Sequence, residues 1–175
     1  MATATTESNC VAIGNSAATV SAGGSNFVAV GREALTSQTS GDDNVAIGLN
    51  AGANITSGSS NTFIGTSAAS QQTTASNNTA VGHSALNANQ SGASCTAVGR
   101  EAGKTSTSAS HNTLIGAESF KTTTGGGNTG LGSQSGESCT SGQLNTALGY
   151  LAGNALTTGD NNLLLGHRAG TSNSP

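Results

Sequence analysis

The chain has 175 residues, 26 of them glycine and one proline, and its Leu, Ile, Val and Phe number 12, 5, 7 and 3, which is 27 in all. That share of about 15% lies below the roughly 20% that a conventional packed core requires, so an ordinary helical or α/β enzyme domain is excluded. Charged residues are only 7% and the net charge is −3, so the self-repulsion of a disordered chain is missing too, and five Lys+Arg leave no basic footprint for nucleic acid.

Residues 1–9, MATATTESN, lack the basic start and apolar stretch of an export signal and read as a lead-in. From residue 10 to residue 175 a single repeat array follows, marked by Gly14, Gly31, Gly48, Gly65, Gly82, Gly99, Gly116, Gly132, Gly149 and Gly166. Successive glycines are 17 residues apart, except for 16 between Gly116 and Gly132. No run approaches the ~20 apolar residues of a membrane span, so no membrane insertion is expected.

Counting each unit from the fourth residue before its glycine, position one is Asn44, Asn61, Asn78, Asn112, Asn128, Asn145 and Asn162, with Cys10, Phe27 and Cys95 in the remaining units. The first three units continue V-A-I-G or V-A-V-G, the fourth T-F-I-G, the fifth and sixth T-A-V-G. The seventh reads T-L-I-G and loses a residue near Gly125 to Gly127, the eighth T-G-L-G, the ninth T-A-L-G and the tenth L-L-L-G. Position four is always aliphatic, position eight Ala or Ser, and position thirteen mostly Thr (Thr39, Thr56, Thr73, Thr107, Thr124, Thr140, Thr157).

This pattern predicts, per unit, a strand, a glycine corner, a second short strand and a polar turn. Seventeen residues are too few for a helix pair, and coils that stack at ~4.8 Å pair their backbones and align like side chains. The fold expected is all-β: a parallel β-solenoid of ten 17-residue coils. Strand alternation sets positions two and four on one face and three and five on the other. The reading places the position-four aliphatics inside as a thin column and the small position-three row outside, against other chains. The Asn rank is expected to form an amide ladder that also satisfies turn backbone.

The motifs Asn9 to Gly14, Asn26 to Gly31 and Asn44 to Gly48 resemble the head repeats of trimeric autotransporter adhesins, with the pattern N-x-V-A-I-G-x-x-S/A. The longer units with a T-T-G-x-N turn, such as Asn145 to Asn161, also resemble repeat arrays of phage and virus tail-fibre proteins. The resemblance implies a left-handed β-roll, association into a homotrimer, and an extracellular setting on a virion fibre or cell surface. The adhesin coil is shorter than this one, and the absent anchor, stalk and export signals favour the viral fibre.

Other apparent sites yield to the repeat. Cys10 and Cys95 both hold position one, five coils or roughly 24 Å apart, too far for an intrachain disulfide. Gly99 to Thr105 has one residue too few for a phosphate-binding loop. His83, His111 and His167 cannot converge on a metal, and Asp42 with Asp43 reads as turn chemistry. No catalytic, metal or cofactor site is expected, although Glu101 and Glu118 share position seven in adjacent coils. The variable position-six residues Arg32, His83, Arg100, Tyr150 and His167 are the candidate surface for a receptor, glycan or matrix polymer. The alternative function is ice binding by the position-thirteen Thr row.

Overall fold

The computed structural model describes residues 8–20 and 23–171. Most of the lead-in, residues 1–7, therefore lies outside the described residues.

Ten strands of three residues each form one parallel sheet in strict sequence order. They are β1 (Val11–Ile13), β2 (Val28–Val30), β3 (Val45–Ile47), β4 (Thr62–Ile64), β5 (Thr79–Val81), β6 (Thr96–Val98), β7 (Thr113–Ile115), β8 (Thr129–Leu131), β9 (Thr146–Leu148) and β10 (Leu163–Leu165). Each strand pairs position for position with the next, as in Val45 opposite Thr62 and Ile47 opposite Ile64. The shortened seventh unit keeps this register, because Thr113 still faces Thr129. Its missing residue comes out of the turn, where Gly125 accepts the Asn112 amide at 3.0 Å just as Gly58 accepts that of Asn44 at 2.8 Å. All described residues belong to a parallel β-solenoid, and none is helical.

The second strand expected in each coil does not form. Positions seven and nine turn left-handed instead, with φ of 59° at Glu33 and 49° at Leu35, and extended backbone cannot pass through that region. Backbone hydrogen bonds still run from coil to coil there, from Glu33 N–H to Asn15 at 2.9 Å and from Leu35 N–H to Ala51 at 3.1 Å. Backbone pairing is therefore maintained around the coil without a second sheet.

The inward and outward faces are also the reverse of the expectation. Position three lies inside: Ala29, Ala46, Phe63, Ala80, Ala97, Leu114 and Ala147 are all fully buried. Position four lies outside, with Ile47, Ile64, Ile115, Leu131 and Leu148 between 37% and 46% exposed. Volume explains the choice. Position three faces the buried Ala or Ser of position eight across a shallow interior, which has no room for an unbroken row of branched side chains.

Large residues enter only where a neighbour gives way. A β-carbon on Gly52 would stand 2.6 Å from the Phe63 ring, and one on Gly103 would stand 2.8 Å from Leu114. Phe120 reaches in from position nine and is matched by Gly130, where a β-carbon would lie 2.7 Å from its ring. The core is thus one thin column of alternating large and small residues, completed at position twelve by Gln38, Ile55, Gln72, Asn89, Thr123 and Cys139.

Candidate interaction surface

Turning position four outward creates a surface that runs the length of the sheet. The aliphatic row from Ile13 to Leu165 lies beside the position-two row, which is Val in β1 to β3 and Thr in β4 to β9. The two rows sit two residues apart, about 6.6–7 Å across the strand, and repeat at ~4.8 Å along it. Branched and β-branched side chains suit this pleated face. No polar side chain interrupts the aliphatic row, which runs beside the Thr row of β4 to β9.

The proposed surface-binding residues all lie exposed at position six, next to the glycine corner. They do not make one site. Tyr150 and His167 stack on adjacent coils, with ring centroids 5.6 Å apart and planes 17° from parallel. Arg100 is bound by Glu118 and approaches Glu101 at 3.7 Å. Arg32 stands 4.0 Å from its neighbour Glu33, and His83 lies alone on its own coil.

Around Arg100 the structure assembles a charged cluster that the sequence reading did not anticipate. Glu101 accepts hydrogen bonds from Lys121 at 2.7 Å and Lys104 at 2.9 Å. Those two ammonium groups hold its carboxyl down at about 2. Glu118 is lowered by Arg100 in the same way and also accepts from Gln134 at 3.2 Å. The Lys121 ammonium is correspondingly raised, chiefly by Glu101. The signal for the cluster was the placement of Lys104 and Lys121 at position ten in consecutive units, each three residues after the position-seven acid of its own coil.

The position-one asparagines link one coil to the next mainly from side-chain oxygen to backbone N–H. The side-chain oxygen of each Asn from Asn44 to Asn145 accepts the position-one N–H of the next coil, from Asn44 to Asn61 at 3.0 Å and from Asn128 to Asn145 at 3.0 Å. Its amide nitrogen closes its own coil by donating to the position-fifteen carbonyl, at 2.8 Å from Asn78 to Gly92 and from Asn145 to Gly159. Asn61, Asn112 and Asn162 continue the same rank. Gln38 and Gln72 brace it from position twelve, donating to Gly41 at 2.6 Å and Ala75 at 2.7 Å. Cys95 substitutes a thiol that meets Ala109 at 3.2 Å, and burial raises the thiol pKa there and at Cys139.

The position-thirteen threonines point their hydroxyls along the rod. Thr39, Thr56, Thr73, Thr124 and Thr140 each donate to the position-thirteen carbonyl of the following coil, at 2.9–3.1 Å. Asp42 is used by the turn, accepting Ser25 N–H at 2.7 Å, and Asp160 does the same for Gln143 at 2.7 Å. Among the described residues no three His, Cys, Asp or Glu side chains group as metal ligands, and no helix is long and apolar enough to cross a membrane. Comparison with protein-family models, curated proteins and solved structures finds no match to this chain.

Proposed function

We propose that the protein is a non-enzymatic segment of an extracellular fibre, in which three copies associate through the aliphatic sheet face. The observation that carries this reading is the outward row of Ile, Val and Leu on ten stacked strands. A strip only three residues wide gains little from a flat two-fold pairing. Three strips facing one axis enclose each other, bring the aliphatic rows into a shared core, and leave the corner and turn faces outside. The resemblance to adhesin heads and tail fibres supports the same arrangement, including a left-handed roll. The rod then displays three copies of each position-six residue, so that weak contacts of Arg32, His83, Arg100, Tyr150 and His167 to a receptor, glycan or matrix polymer combine through avidity. The location is a virion fibre or a cell surface.

A second reading uses the same face differently. Thr62, Thr79, Thr96, Thr113, Thr129 and Thr146 form a regular hydroxyl and methyl row beside the aliphatics, a flat lattice that could order water on an ice surface. The position-thirteen threonines are the other candidate row, although Thr39, Thr56, Thr73, Thr124 and Thr140 donate their hydroxyls to the next coil. Light scattering separates the two. The fibre reading predicts three times the 16.8 kDa chain mass, falling to one chain in Ile64→Asp. A monomer that produces thermal hysteresis would replace it with the ice reading.

A further inference from the structure

We propose that the joint between coils six and seven encloses one structural water molecule, bound by the Ser106 hydroxyl, the Ala109 carbonyl and the Asn112 side-chain amide. The site lies inside a single chain, so it stands whether or not three chains associate.

The neighbouring coils display what groups at these three positions do. In coil four, Gln72 at position twelve donates through Nε2 to the carbonyl of Ala75, three residues on, at 2.7 Å. Its Oε1 accepts from Nδ2 of Asn78, six residues on, at 3.0 Å. Gln38 does the same in coil two, donating to Gly41 at 2.6 Å and accepting from Asn44 at 3.4 Å. One carboxamide thus ties the turn of its own coil to the asparagine of the next. Ser106, Ala109 and Asn112 occupy the same three positions at the joint of coils six and seven.

Ser106 is too short to make either bond. Its side chain ends at the hydroxyl where Gln72 continues through a methylene to the carboxamide, and its buried Oγ has no hydrogen-bond partner among the described residues. The other polar residues of the row reach their turns: Asn89 donates to Gly92 at 2.8 Å, Thr123 to Gly125 at 3.4 Å and the Cys139 thiol to Gly142 at 3.7 Å.

The two groups beyond the reach of Ser106 have capacity to spare. Asn112 Nδ2 donates to Gly125 at 3.0 Å, whereas Asn78 Nδ2 serves both Gln72 and Gly92. Where Ile55 holds position twelve, Asn61 turns its second proton to the Asn44 oxygen at 3.0 Å. Asn112 lacks that outlet, because Cys95 stands where an asparagine oxygen would be. The Ala109 carbonyl receives only the Cys95 thiol, a weak donor, at 3.2 Å, while Ala75 receives the amides of both Asn61 and Gln72.

Ser106, Ala109 and Asn112 are all buried, so bulk solvent does not serve them. Buried polar groups are paired, and an internal water that meets about three of them is the common means where side chains fall short. Water fits the donor and acceptor pattern here. It accepts from Asn112, donates to Ala109 and shares its remaining bond with the Ser106 hydroxyl, which can give or take a proton. The methylene and carboxamide that Ser106 lacks fill no less than the ~30 Å3 of a water molecule. An apolar guest would leave all three groups unpaired.

A high-resolution crystal structure of the 175-residue chain tests the site directly. A density peak should lie about 2.7–3.2 Å from Ser106 Oγ, Ala109 O and Asn112 Nδ2 together. In solution, oxygen-17 relaxation dispersion counts long-lived internal waters, and Ser106→Gln, which supplies the carboxamide, should hold one fewer than wild type. A joint without that peak, in which Ser106 Oγ bonds a protein group instead, would overturn the proposal. Equal water counts in wild type and folded Ser106→Gln would do so as well. Neither readout depends on the number of chains, so a monomer that defeats the fibre reading leaves this one to be judged on its own.

Discussion

At the scale of single residues, the position-one asparagine does two jobs in one coil, and the exceptions show what each is worth. Cys95 keeps the contact to the position-fifteen carbonyl but offers no amide oxygen to Asn112, so coil six is joined to coil seven by one hydrogen bond fewer than its neighbours. Restoring that oxygen in Cys95→Asn should stabilise the fold by about 1 kcal/mol, the net worth of a typical hydrogen bond. The opposite change, Asn78→Ala, strands Cys95 N–H in the interior at roughly 1–3 kcal/mol, while the Gly92 carbonyl keeps its hydrogen bond from Asn89. Thermal melts of the two variants should therefore move in opposite directions. Glu101 makes a different prediction. Its carboxyl is held at about 2 in the folded chain against 4.5 for the free group, so its ion pairs stabilise fully above 4.5 and are lost as pH falls toward 2. Glu101→Gln should melt lower than wild type at neutral pH and converge with it in acid. A gap that stayed constant with pH would refute this role.

At the scale of the element, each coil is a three-residue strand ended by a glycine corner. At Gly65 φ is +132°, and a β-carbon would stand 2.6 Å from the Gly82 carbonyl oxygen. Conformation and space both forbid a side chain there, and Gly65→Ala should lose at least about 1–3 kcal/mol from the backbone strain alone. At about 2–4 °C per kcal/mol, calorimetry resolves that loss. Because the corner glycine is the one residue with no alternative, the period and the parallel solenoid could be read from spacing. The second strand was misread because its left-handed turns are built by Glu33, Leu35 and Phe120 as well as by glycine, so composition does not mark them. Alternation alone also left two solutions for inside and outside. The pairing of Phe63 with Gly52 and of Leu114 with Gly103 breaks that tie, because those glycines make sense only if position three is interior. The charged cluster escaped notice because the pairs that join its two coils, Arg100 with Glu118 and Lys121 with Glu101, lie 18 and 20 residues apart and meet only once the coils stack.

At the scale of the whole molecule, the shortage of large side chains has a physical explanation in two parts. The interior is a narrow column that small residues fill, with Phe27, Phe63 and Phe120 admitted singly. Most of the branched aliphatics are spent on an outer face instead, where a lone chain would leave them in water. The central claim is that this face is the contact between three chains. A spin label at Ile64→Cys tests it most directly, because the site sits in the middle of the row and Cys95 and Cys139 are buried and unreactive by comparison. With Cys10 changed to Ser, the account predicts an immobilised label whose spectrum is broadened by coupling to two others in the same assembly. A sharp, freely rotating spectrum without coupling between chains would contradict it.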